Sequence, residues 1–292
     1  MNVIQQALVP TIVLGLTYAL VATGFVVLFR SIGILSFAQG AFMIVGALVF
    51  YALLVDAGIE WVLSLVITML LVAAAGAICY KVAYSPKLGG DPLIIAFSTV
   101  GLGILLEQVI YMVWGTQAQS IPPVLHFSTW HITSKIVLGP TQLVVIIVSL
   151  AVMGGVGVLV RFTPIGIRMR ATADSSTLAS YYGIGVDRLS AFTWALAALC
   201  AACGGIVYSM VNAIDPVTLP SIGLATFPAI ILGGIDSLAG ALVGGLLVAF
   251  MGTALATAFG SQYQDLASYA LLLVVLLIRP RGLFGSPDVS RV

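Results

Sequence analysis

Charge is what this chain has least of. Only 7% of its 292 residues are Asp, Glu, Lys or Arg, against 61% hydrophobic residues and a mean hydropathy of +1.19. A soluble domain carries roughly 25% charged and 45–50% apolar residues, so a soluble globular class is excluded. The net charge of +1 provides no clustered basic face, and nucleic acid is excluded as a partner. Histidine and cysteine are nearly as scarce, at two and three residues. His126 and His131 stand five apart, a spacing that does not set two metal ligands on one helical face. Cys200 and Cys203 form a C-x-x-C inside "LAALCAACGG", where small residues point to close helix packing rather than redox or metal chemistry. The chain contains no G-x-x-x-x-G-K-[ST], H-E-x-x-H or G-x-S-x-G, so neither a P-loop ATP site nor a hydrolase signature is present. No enzyme motif is found, and if ATP is used, a partner binds it.

What is abundant is long apolar sequence. About 20 apolar residues cross a bilayer core of about 30 Å. Segments with little or no charge run at about 7–29, 34–55, 62–85, 92–115, 140–160, 189–212, 222–258 and 266–278. They predict an all-α polytopic membrane protein of about eight segments, forming one transmembrane domain over residues 1–292. The first run exceeds the apolar core of a signal peptide and reads as a retained span. "RSIG", "DAGIEW", "SPKLGGDP" and "DPVTLP" separate the runs with turn-forming residues. Arg30, Lys81, Lys87, the interval Arg161 to Arg188, Arg279, Arg281 and Arg291 fall on one side if the N-terminus is outside. Asp56, Glu60, Asp215, Asp265 and Lys135 fall on the other. Basic loops stay in the cytoplasm, so the expected topology is N-outside, C-inside.

That topology requires the stretch from Ile222 to Phe259 to cross an even number of times. Its portion before "LGGIDSLAGA" is about 13 residues long, near 20 Å as a helix and too short to span. One segment is therefore expected to be broken or re-entrant at "LGGIDSLAGA", either as a pathway element or as a tight helix hairpin that needs glycine for close packing. Irregular backbone at membrane depth must be buried in protein or line a wet cavity. "SFAQGA" at 36–41 and "SLAGA" at 237–241 echo one another, each opening an apolar run. Ser36, Gln39, Gly233, Gly234, Ser237 and Gly240 are accordingly candidates for a solute pathway, on the assumption that the two breaks face each other. Ser98 and Thr99 are further polar residues within a span, able to contact a solute or to bond between helices. Glu107 is an acid inside a span, a functional candidate by default. Its place in the outer half favours a hydrogen bond or snorkelling instead.

The interval Arg161 to Arg188 holds four of the eleven basic residues. Within it, Asp174 suits an N-cap, Leu178 and Tyr182 give one apolar side, and Gly183 suits the position after a helix end. The reading is a cytoplasmic helix of about eight residues. A helix that short is unstable alone in water and needs a membrane surface or a partner to hold it.

"GIRMRATADSSTLASYYGIGVDRL" resembles the cytoplasmic loop of permeases of branched-chain amino acid ABC importers, the LivH-like family. "GLTYALVATG", "GILSFAQGAFMIVGAL", "AIILGGIDSLAGALVGG" and "LIRPRGLFG" agree in order, over about residues 10–285. The resemblance implies a coupling helix that docks on a cytoplasmic ATPase through an A-x-x-x-G element, here Ala179 to Gly183, with Arg168, Arg170, Ala171, Asp174, Leu178 and Tyr182 around it. The chain departs from the family at Asp174, Ser175 and Ser176, where an amide-rich segment is usual. Further implications are a bacterial inner-membrane location, a homologous second permease, two ATPase subunits holding ATP and magnesium, a periplasmic binding protein, and contact with membrane lipid. No cofactor is expected on this chain. The implied substrate is a branched-chain or other hydrophobic amino acid; related permeases move urea or short amides. From the residues alone, a stand-alone secondary carrier is the competing class, expected to show several intramembrane charges.

Overall fold

The structure is a computed structural model describing residues 2–83, 92–122, 130–133 and 136–285. Lys87, His126, Lys135 and Arg291 lie outside these residues. Among the described residues, eight helices are long and apolar enough to cross a membrane. They are α1 (Asn2–Ile32), α2 (Gln39–Tyr51, prolonged by a π-turn over Ala52–Asp56), α3 (Trp61–Ala83), α4 (Pro92–Trp114), α5 (Pro140–Phe162), α8 (Val186–Ser209), α11 (Leu238–Phe259) and α12 (Gln264–Ile278, preceded by a 3₁₀ turn at Ser261–Tyr263). Between α5 and α8 lie α6 (Pro164–Asp174) and α7 (Ser176–Tyr181). Between α8 and α11 lie the short α9 (Thr218–Leu224) and α10 (Phe227–Gly233). A small antiparallel hairpin, β1 (Trp130–Thr133) with β2 (Ile136–Leu138), precedes α5 and includes His131. This hairpin lies between spans and leaves the membrane-crossing architecture entirely helical.

Helices α1 and α8 form the centre, 83% and 72% buried, whereas α12 is 11% buried. Lipid tails are as apolar as leucine, so association between spans relies on close backbone approach at small residues. "LAALCAACGG" on α8 supplies that approach. Gly205 meets the carbonyl of Met43 on α2, Gly46 on α2 meets Ala202, and Cys200 and Cys203 are buried beside them. Several buried hydroxyls are satisfied locally, as a bilayer favours. Thr17 and Thr23 donate to the carbonyls of Val13 and Ala19 at 3.0 and 2.8 Å, and Ser31 bonds Thr193 at 3.0 Å between α1 and α8. The exposed Leu70, Phe97, Met112 and Leu277 lie on the peripheral helices α3, α4 and α12, where bilayer or another subunit can cover them.

The chain reverses between α10 and α11. Gly233 packs on Gly240 and Ala229 on Gly244, an antiparallel hairpin of helices. Residues 282–285 close over its turn, with Leu283 and Phe284 donating to the carbonyls of Leu232 and Gly233 at 2.8 and 3.0 Å. The reversal expected within 222–258 consists of two short helices followed by a full-length one.

Candidate functional site

The loop from α5 to α8 is built as a rigid corner. Thr163 ends α5 and caps α6, its hydroxyl donating to Leu159 O at 2.6 Å and accepting from Gly166 N at 3.5 Å. Pro164 then takes the first helical position, where its missing N–H costs nothing. Gly166 fits against the Val160 carbonyl with no room for a side chain. Arg170 donates from Nη1 to Val160 O at 2.7 Å. That bond places a cation on an orphan carbonyl at the C-terminus of α5, where the helix dipole favours it. Met169 and Thr172 are buried on the same face of α6. Of the two predicted arginines, Arg170 therefore braces the corner. Arg168 instead lines a cleft of about 470 Å³ together with Tyr182, Gly183, Arg188 and Phe192.

Helix α7 differs from expectation at its start. Its N-cap is Ser175, not Asp174. The Ser175 backbone is extended (φ −163°, ψ 109°) and its hydroxyl accepts from Leu178 N at 3.2 Å. Asp174 is the last residue of α6. The helix end agrees with the sequence reading in detail. Gly183 has φ +79°, the left-handed region that glycine adopts without penalty. Gly183 N donates to Ser180 O at 2.9 Å and Ile184 N to Ala179 O at 3.0 Å. These are the two bonds of a Schellman termination. The A-x-x-x-G spacing therefore has a direct physical meaning. Ala179, only 4% exposed, receives the returning amide, and Gly183 supplies the turn that delivers it. Leu178, Tyr181 and Tyr182 are left exposed, the two tyrosines at more than 80%. Tyr181 was not singled out from sequence, although the adjacent tyrosines were the available signal. Ala171 is half-buried within α6.

The candidate pathway residues fall into two groups. Gln39 opens α2 beside Gly24 of α1, eight residues before that helix ends at Ile32. At 1.5 Å per residue, Gly24 lies about 12 Å back from the end of α1, and the Gln39 side chain reaches it. The stretch 33–38 is a non-helical link that turns back along α1, where a span beginning at 34 was expected. Ser36 accepts from Ala38 N at 3.3 Å, and Thr99 on α4 accepts from Phe37 N at 3.0 Å. Thr99 thus serves as a bond between elements at this break. The ring of Phe37 stacks on Phe227 at 5.0 Å and that of Phe25 lies 4.8 Å from it. Gly40 and Gly223 interlock, with Pro220 against Gly40. The partner of the first break is therefore the α9–α10 junction. Gln39 is 1% exposed, and its Oε1 is a buried acceptor without a hydrogen-bond partner.

The second group, Gly233, Gly234, Ser237 and Gly240, assembles with residues 282–285 at the α10–α11 turn. Ser237 caps α11 through Gly240 N at 3.0 Å. The assumption that the two glycine-rich breaks face each other is corrected on this point. The first is packed against Gly24, Pro220, Gly223 and Phe227, the second against Gly285. The echo between "SFAQGA" and "SLAGA" retains a local counterpart, since each serine hydroxyl accepts an amide at the entry to an apolar helix. Glu107 is partly buried on α4.

A bundle of apolar spans, two breaks in helix and a braced loop presenting exposed side chains define a polytopic membrane protein. Residues 7–276 match the family described as the permease component of branched-chain amino acid transport systems. The chain is 31% identical to the high-affinity branched-chain amino acid transport system permease protein BraD of Pseudomonas aeruginosa, over 98% of this chain and 97% of that protein. It is likewise 31% identical to the corresponding permease protein LivH of Escherichia coli (strain K12), with the same coverage. In a solved structure titled PsaBC from Streptococcus pneumoniae in complex with Fab, one chain shares the fold at a TM-score of 0.51 and 13% identity, covering 93% of this chain and 91% of that one. The protein belongs to the branched-chain amino acid permease family and is a membrane transport subunit rather than an enzyme.

Proposed function

We propose that this chain is one of two homologous permeases in an ATP-driven importer of branched-chain amino acids in the bacterial inner membrane. Two cytoplasmic ATPase subunits holding ATP and magnesium drive it, and a periplasmic binding protein delivers the substrate. The observation that carries this reading is the α6–α7 corner. A six-residue helix is capped at both ends, braced to α5 through α6, and holds Leu178, Tyr181 and Tyr182 outward. Exposed aromatic side chains on a rigid support favour a protein partner, because such anchors dominate interface energetics at little entropic cost. Arg168, Asp174, Ala179 and Gly183 form the polar rim and frame of that contact. The N-terminus lies outside and the C-terminus inside, since Arg30, Lys81, Arg161, Arg168, Arg188 and Arg279 then share the cytoplasmic side.

Solute passes near the breaks in helix. Gln39 offers the unpartnered acceptor, and the surrounding glycines offer backbone, which suits a zwitterion with an apolar side chain. The similarity to BraD and LivH supports a branched-chain amino acid over urea or a short amide. The test is purification of the tagged protein from its host in mild detergent. A P-loop ATPase and a second permease should co-elute. A homogeneous protein that carries leucine without ATP would refute the importer.

A further inference from the structure

At the end of the bundle away from α6 and α7, a cavity of about 330 Å³ opens among α1, α5, α8, α9, α11 and α12. Tyr18, Gln142, Tyr208, Asn212, Thr253 and Gln264 line it, with an apolar wall from α1 and α9. These six polar residues come from five separate segments, in spans whose other residues are overwhelmingly apolar. Polar side chains at membrane depth are costly and collect where they serve each other or a solute. One internal bond is made, Asn212 Nδ2 donating to Tyr208 O at 3.1 Å, and Tyr18 is only 4% exposed. The volume falls at the low end of small-molecule sites, roughly 300–1,000 Å³, enough for one small solute.

The lining contains no Lys, Arg, Asp or Glu. A net anion entering there would lose hydration without a counter-ion and would meet the carboxylates of Asp265 and Asp215, which lie just beyond the lining near Tyr18 and Tyr208. A zwitterion brings both charges and needs only neutral partners. Hydroxyl and amide N–H groups can donate to its carboxylate, and amide carbonyls can accept from its ammonium. An apolar side chain would lie against the wall from α1 and α9. We propose that this cavity is an entry site binding one α-amino acid with an apolar side chain before it reaches the break at Gln39, an inference that rests on the proposed import function.

The test uses the complete transporter in proteoliposomes carrying Thr253→Cys. The chain's own Cys79, Cys200 and Cys203 are all buried and should stay silent. A small water-soluble methanethiosulfonate should label position 253, and leucine at about ten times its dissociation constant should slow labelling about tenfold while aspartate does not. The nearly isosteric Thr253→Val should raise the KM for leucine uptake. Absence of labelling, labelling indifferent to leucine, or an unaltered KM, in a preparation whose wild type accumulates leucine, would overturn the entry site. A wild-type complex that accumulates no branched-chain amino acid would refute the import function itself, and the entry site with it.

Discussion

Replacing Gly183 tests the coupling loop through backbone conformation alone. The residue sits at φ +79°, and a β-carbon built there meets no atom within 4 Å. Any loss on substitution is therefore conformational rather than a clash. Left-handed backbone costs an ordinary L-residue about 1–2 kcal/mol, and more for a β-branched one. Gly183→Val further threatens the amides of Gly183 and Ile184, which close the end of α7 on Ser180 and Ala179. A net intramolecular hydrogen bond is worth about 1 kcal/mol, so the expected penalty is about 2–3 kcal/mol. Since about 1.4 kcal/mol is a factor of ten, occupancy of the docking conformation should fall roughly 30- to 140-fold. Gly183→Asn should retain most function, because asparagine tolerates this conformation. The assay is ATPase co-purification and leucine-stimulated ATP hydrolysis, with membrane content measured by immunoblot. Normal membrane content, lost coupling in Gly183→Val and near-normal coupling in Gly183→Asn is the predicted pattern. Equal behaviour of the two variants would refute the argument from the left-handed turn.

Gly205→Val should force α8 off the Met43 carbonyl, costing on the order of 1–3 kcal/mol; thermal unfolding in detergent should show a lower midpoint, and an unchanged one would contradict the packing account. Gln39→Leu removes a buried acceptor without a partner, so stability should hold or rise while leucine uptake falls. Preserved uptake in that variant would remove Gln39 from the pathway. A cysteine at the exposed Ser120 should react with an impermeant thiol reagent in intact spheroplasts, and one at Ser175 only after lysis. The reverse pattern would invert the topology.

The spans were legible because apolar length is a local property that a bilayer reads directly. Gly183 was legible for a similar reason, since left-handed backbone selects glycine wherever it occurs. Helix α6 was not foreseen. Its buried face is little more than Gly166, Met169 and Thr172, and its arginines disguise it as a polar loop. Thr163 followed by Pro164 was the signal available. The shift of the cap from Asp174 to Ser175 was beyond reach, because both side chains can cap and only the backbone angles at 175 decide. The break at 33–38 was hidden for another reason. Ser36 and Gln39 sit in uncharged sequence, and the depth at which α2 begins depends on how Gly40 meets Pro220 and Gly223. The polar cavity draws on residues from 18 to 264, a convergence that appears only once the helices are packed.

In the proposed function, this chain translocates substrate only when a partner ATPase engages α7. Leucine uptake into proteoliposomes measures this directly, with the co-purified complex compared with its Leu178→Asp variant, each loaded with ATP and magnesium on the ATPase side. Leu178 is 57% exposed on α7, so the substitution should spare folding and insertion while placing a charge in the docking contact. ATP-dependent accumulation by the wild type, abolished in the variant together with ATPase binding, is the predicted result. Equal accumulation by both, or accumulation that proceeds without ATP, would contradict it.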